Sequence, residues 1–143
     1  MPDPRSHLLL TAVSLECGYP ASSIRERVYA FDGGYGIMLY TGTPDAEGTL
    51  GDLVEAGTRI AAHLRAALEL GRLCSNDPVC AQHDPQSPHE IRFLHGAACH
   101  GCVLVAETSC EQQNDFLDRS LVVPTVESLG AEFLVVSLLG CRS

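Results

Sequence analysis

Five cysteines between positions 74 and 110, spaced C-x5-C-x18-C-x2-C-x7-C, constrain this 143-residue chain more than any other feature. They read CSNDPVC and then, after a gap, AACHGCVLVAETSC. The gap, AQHDPQSPHEIRFLHG, holds Asp84, Pro85, Ser87 and Pro88 with only Ile91, Phe93 and Leu94 to bury, which is the composition of a loop. A long loop with thiols at both ends needs a fastener. The chain has seven cysteines, an odd number, and its start, MPDPRSH, lacks a signal-peptide layout. The reducing cytoplasm is therefore the expected compartment, where closely spaced thiols hold metal more often than they form bridges.

Zinc takes four ligands at tetrahedral corners, and a C-x2-C pair on a tight turn is a common source of two. Cys99-His100-Gly101-Cys102 is such a pair, with Gly101 giving the turn its freedom. The other two ligands come from Cys74, Cys80 and Cys110, so five thiols compete for four places. Four thiolates on one zinc leave a charge of about −2, which Arg72, His100 and Arg119 stand near enough in sequence to offset. His83, His89, His95 and His100 surround the cluster, but soft thiolates already outnumber the places. Cys17 and Cys141 read as small buried apolar groups. His7 and His63 read as helix-packing or surface residues.

Catalytic versions of this pattern lack required parts. A thioredoxin-type pair needs a strand before it and a helix after it, and a c-type haem site needs His where Val103 stands. A nucleobase deaminase would show H-x-E and then P-C-x-x-C, whereas here His89 and Glu90 are adjacent and Ala98 precedes Cys99. The enzymatic alternative is thiol or zinc chemistry at the spare cysteine or His100. No catalytic residue is assigned.

The remaining segments supply support. His7 to Leu15 is apolar on nearly every side and reads as a buried helix, with Ser6 as N-cap and Gly18 as terminator. Ile24 to Phe31 and Tyr35 to Thr41 flank Asp32-Gly33-Gly34 and predict a β-hairpin. Thr49 and Asp52 suit a helix start, and Leu50, Leu53, Val54, Ala56, Ile60, Ala61, Leu64, Ala67 and Leu68 keep helical spacing, so one long helix is expected up to Gly71, delivering Cys74 to the site. A further helix opens at Thr108 or Ser109, with Phe116, Leu117, Leu121 and Val122 on one face and Asn114 placed to donate to a thiolate or carbonyl. Phe133 to Leu139 reads as a buried strand. Together these give one α+β domain over 1–143: a hairpin or small sheet packed with three or more helices, and a structural Cys-zinc site in segment 74–110.

Nine arginines, with no lysine, face eighteen acidic residues for a net charge of −9, the wrong sign for wrapping a phosphate backbone. Any direct DNA contact would be confined to a local patch of Arg25, Arg27, Arg59 and Arg65. The apolar runs fall well short of the ~20 residues that span a bilayer, so no membrane contact is expected.

The words CSNDPVC, GAACHGC, ETSCEQQN and LDRSLVVP, with IRERVY and GIMLYTGTPDAEGTLGDLV, resemble the MrfA-like zinc-binding domain that accompanies superfamily 2 helicases, in the version found in the DISARM anti-phage system. The resemblance runs from about His7 to Pro124. It implies a cysteine-held structural zinc in a non-catalytic accessory domain whose partner is a helicase subunit or another protein of a defence complex. In that family the thiols fall in C-x-C, then G-C-P-x-C, then a later Cys followed by Asn and Leu. Cys99 and Cys102 match the central pair, Cys110 with Asn114 and Leu117 matches the last element, and the first ligand falls on Cys74 or Cys80. This chain departs from the pattern in the eighteen residues separating Cys80 from Cys99 and in having His100 where the family has Pro. It carries no Walker A motif and no lysine to serve one, so the resemblance does not extend to an ATPase.

Overall fold

A computed structural model of the chain describes residues 4–42, 49–84 and 95–126. His89, the 133–139 run and Cys141 lie outside the described residues.

Helix α1 spans Pro4–Cys17. Leucines favour it, and Pro4 fits a first helical turn because its missing N–H would have no intrahelical partner there. The helix starts before Ser6, so Ser6 is not its cap and is instead completely buried. Gly18 ends it with φ 74°, and the Tyr19 N–H reaches back to the Ser14 carbonyl at 3.0 Å, closing the last turn. Leu8, Leu9, Leu10, Ala12 and Val13 are all buried and cover more than one face. A helix buried this way has to run through the middle of the molecule.

The hairpin forms between β1 (Ile24–Phe31) and β2 (Gly34–Thr41), antiparallel, in register from Ile24↔Thr41 to Phe31↔Gly34. Asp32-Gly33 is its two-residue loop, with Gly33 at φ 103°. One end packs on α1 through Ile24 and Glu26, both buried, while the tip stands out with Phe31 and Tyr35 exposed.

The expected long helix is two helices, α2 (Thr49–Thr58) and α3 (Ile60–Gly71), parted at Arg59 with φ −114° and ψ 25°. Gly57 and Thr58 weaken helical order there, and the Thr58 hydroxyl donates to the Glu55 carbonyl at 2.6 Å, competing with the ladder. Gly71 closes α3 for a reason of space. A Cβ there would lie 2.8 Å from Leu8 Cδ1 and 3.2 Å from Val123 Cγ1, so α1 and the distal chain approach the backbone directly.

The helix expected after Ser109 does not form. Short 3-10 turns at Glu107–Ser109 and Arg119–Leu121 bracket a looped segment in which Gln113, Asn114 and Phe116 have φ of 53°, 67° and 61°. No right-handed helix tolerates those angles. Asn114 compensates: its buried amide accepts from the Val105 N–H at 3.1 Å and donates to the Val105 carbonyl at 2.9 Å, as a neighbouring strand would. Phe116 is exposed, whereas Leu117 and Val122 are buried.

Two apolar groups result, both built on α1. Leu8 and Ala12 pack with Ala67, Ala98, Val103, Leu117, Val122 and Val123. Leu9, Leu10 and Val13 pack with Ile24, Ala56, Val105 and Cys110. Among the described residues the fold is α+β, with three helices and a two-stranded sheet. No described helix is long and apolar enough to cross a membrane. Gly71→Ala, which forces a methyl against Leu8 and Val123, is expected to lower stability by about 1–3 kcal/mol, read from the urea midpoint.

Candidate metal centre

The chain leaves α3 at Gly71 and reaches Cys74 within three residues, then turns through Ser75–Val79 to Cys80. The second pair comes from the turn at Cys99, whose carbonyl accepts from the N–H groups of Cys102, Val103 and Leu104 at 3.0–3.1 Å. This wrapping sets Cys99 and Cys102 on the same side of one loop. Cys74, Cys80, Cys99 and Cys102 have sulfurs that all lie within 4.8 Å of one another. Measured separations are 3.6 Å for Cys74–Cys99, 3.8 Å for Cys80–Cys102 and 3.8 Å for Cys99–Cys102. Disulfide sulfurs would stand ~2.05 Å apart. Zinc–sulfur bonds of ~2.3 Å arranged tetrahedrally give edges of ~3.8 Å.

Backbone and amide groups complete the setting. The Asn76 N–H points at Cys74 Sγ at 3.4 Å, and the Gly101 N–H points at Cys99 Sγ at 3.3 Å. Each donor stands two residues after its cysteine, so both loops make the same turn. Asn76 Nδ2 donates across the two loops to Cys99 Sγ at 3.2 Å, and the Cys99 N–H meets Cys102 Sγ at 3.3 Å. Gly101 is required by proximity, since a Cβ would come within 2.9 Å of Ser75 Oγ and 3.4 Å of Cys99 Sγ.

These contacts set thiol acidity. Burial disfavours ionisation of Cys99, but donation from Asn76 and Gly101 outweighs it and brings the group down to about 7. Burial pushes Cys102 up to about 11 against the help of the Cys99 N–H, and burial with neighbouring thiols pushes Cys80 higher still. The pocket therefore favours the Cys99 thiolate and resists ionisation of Cys80 and Cys102. Only a bound cation lets four such sulfurs all ionise, and the donor set suits a soft or borderline ion such as zinc.

Arg119, completely buried, supports the arrangement. Its Nε donates to the Ala97 carbonyl at 3.1 Å, one Nη to the Gly71 carbonyl at 3.5 Å, and the other to Asp77 Oδ1 at 2.6 Å. It thereby ties the end of α3, the Cys74–Cys80 loop and the approach to Cys99 to one cation, whose charge also favours the Cys102 thiolate. Arg72 turns away to Glu69, and His100 is exposed. His83 is exposed, and His95 bonds the Asn114 carbonyl.

Cys110 lies elsewhere. It is buried beside His7 and Glu26, and the donor atoms of these three also lie within 4.8 Å of one another. Burial opposes a charge on His7, but the facing Cys110 and Glu26 raise it to about 9. Sequence reading passed over this group, though one signal was available: Glu26 is an acid on the strand face that also carries Ile24. Cys17 is half-buried against the second apolar group. Of the four patch arginines, Arg27 pairs with Glu111 at 3.1 Å and Arg59 with Glu16 at 2.6 Å, and Arg25 and Arg65 are exposed.

An α+β domain that gathers four free thiols at tetrahedral spacing defines a class, the small cysteine-cluster zinc-binding domains. The chain belongs to the MrfA Zn-binding domain family, whose signature it matches over residues 5–103. It is also 45% identical over 130 residues to the DISARM protein DrmB of Bacillus paralicheniformis. That alignment covers 90% of this chain and 23% of the relative, so the chain spans less than a quarter of that protein's length.

Removing the buried cation should be costly. Arg119→Ala leaves the part-exposed Asp77 and two carbonyls without their donor and is expected to destabilise the chain by about 1–3 kcal/mol in denaturant titrations.

Proposed function

We propose that this chain is a non-catalytic zinc-binding module that acts as an interaction domain in a helicase-associated, DISARM-type anti-phage defence complex. The metal is structural, and Cys74, Cys80, Cys99 and Cys102 hold it. One observation carries this reading: four sulfurs 3.6–3.8 Å apart where measured, each loop turning an N–H onto its leading sulfur. Four thiolates close the coordination shell, leaving no open corner for water or substrate, which is the mark of a structural site.

The ion fastens the end of α3 to the distal chain, and such a site contributes about 10–16 kcal/mol of apparent binding free energy. What it holds in shape is a surface for a protein partner, a helicase subunit or another component of the assembly. The relative's name supports the defence setting. DNA contact is indirect, because two of the four patch arginines are already neutralised by carboxylates and the chain carries −9 overall.

Elemental analysis of purified protein tests the ligand set. Cys99→Ser and Cys102→Ser should each lower bound zinc by one equivalent per chain and lower the unfolding midpoint; soluble variants with unchanged zinc and stability would refute the assignment. Asn76→Ala, which removes a donor to Cys99, should weaken zinc by about 10–100-fold in chelator competition.

A further inference from the structure

Among the described residues, three buried donors converge outside the four-sulfur cluster. His7 comes from α1, Glu26 from the inward face of β1, and Cys110 from the residue that follows the Glu107–Ser109 turn. Their exposures are 0%, 2% and 5%. His7 Nδ1 lies 3.1 Å from the Val103 carbonyl, which fixes the ring proton on Nδ1 and turns the Nε2 lone pair inward.

Among the described residues no hydrogen bond of normal geometry closes on Nε2, although Glu26 and Cys110 face it. His7 Nε2 and Glu26 Oε2 are both buried without a hydrogen-bond partner. Buried polar groups left in this way are costly, and a ligand that answers them is favoured. A simple imidazolium–carboxylate pair would close to ~2.8 Å, yet His7 Nε2 stands 3.8 Å from Glu26 Oε1. That gap is too long for a hydrogen bond and is close to the ~3.4–3.8 Å edge of a tetrahedron built on zinc bonds of ~2.0–2.3 Å.

We propose that His7 Nε2, the Glu26 carboxylate and Cys110 Sγ form a second, buried site for a divalent cation of the zinc class. A ligating histidine that donates its other ring N–H to a backbone carbonyl is the usual supporting pattern of such sites. Charge agrees: a dication with one thiolate, one carboxylate and a neutral imidazole sums to zero, the balance a fully buried centre needs. Glu26 offers two oxygens, so the three side chains can supply four donors. On binding, the Cys110 thiol and His7 Nε2 each release a proton to solvent, and His7 keeps the proton on Nδ1. A nucleophilic Cys–His–Glu reading fails on access, because a sulfur in a residue 5% exposed has no room for a substrate.

This site is independent of the four-sulfur assignment, and metal counting separates the two. The full chain, isolated without chelator, should carry two equivalents of zinc. Glu26→Gln, close in shape, and Cys110→Ala should each drop the count to one, with the four-sulfur signature retained in the cobalt-substituted protein as intense sulfur-to-cobalt absorption. Cys99→Ser should leave one equivalent in a site that shows weaker, single-thiolate absorption. A native chain that carries one equivalent, lost entirely in Cys99→Ser, overturns the second site even if neither of the other variants folds. Two equivalents that survive Glu26→Gln and Cys110→Ala unchanged also overturn it.

Discussion

Repulsion among sulfurs is the constraint around which this protein is arranged. Thiolates 3.6–3.8 Å apart cannot all ionise unaided, and the surrounding groups lean one way. Three backbone N–H groups and the Asn76 amide point at sulfur, and the Arg119 guanidinium stands behind them. These dipoles and this one cation lower the cost of negative charge without cancelling it. The apolar side chains beside them, Val103, Leu117 and Val122, keep water from doing the same task.

Arg119 gives the arrangement its reach. A lysine could not replace it, because three separate acceptors are met by a planar fork whose donors diverge at fixed angles. Each acceptor belongs to a different stretch: Gly71 to the end of α3, Asp77 to the first cysteine loop, Ala97 to the approach to the second. The hairpin is carried separately, through Ile24 and Glu26 against α1. The molecule therefore has two attachment systems that meet along one helix, and the exposed aromatic tip at Phe31 and Tyr35 lies at the far end of the second.

Much of this was legible in the chain because the controlling effects are local. Asp32-Gly33 between two β-rich runs sets the hairpin and its turn, and Gly18 ends α1 through a positive φ that only glycine adopts freely. Cys99-His100-Gly101-Cys102 announces a tight turn bearing two thiols. The division of the long helix at Arg59 was harder to see, since apolar spacing continues unbroken through Gly57 and Thr58 and only their backbone preferences differ. The segment after Ser109 misled for the opposite reason. Phe116, Leu117, Leu121 and Val122 can be drawn on a helical face, but Asn114 has a better local bargain with Val105. Where Cys110 goes was hardly legible, since beyond the acid on the Ile24 face of β1 its neighbours His7 and Glu26 are distant in sequence and meet it only in the packed fold.

The central position of α1 bears on how the chain acquires its shape. Residues 4–17 pack against Val103, Leu117, Val122 and Val123, all roughly a hundred positions further along. Such separations place the ordering of the interior late, since loop closure over long stretches is entropically costly and slows folding. During synthesis helix α1 emerges well before its last neighbours, with the hairpin, α2 and α3 as partial interim cover. The nascent chain thus passes through a long interval of exposed leucines, in which shielding by a chaperone would matter more than in a domain whose interior is built from adjacent segments.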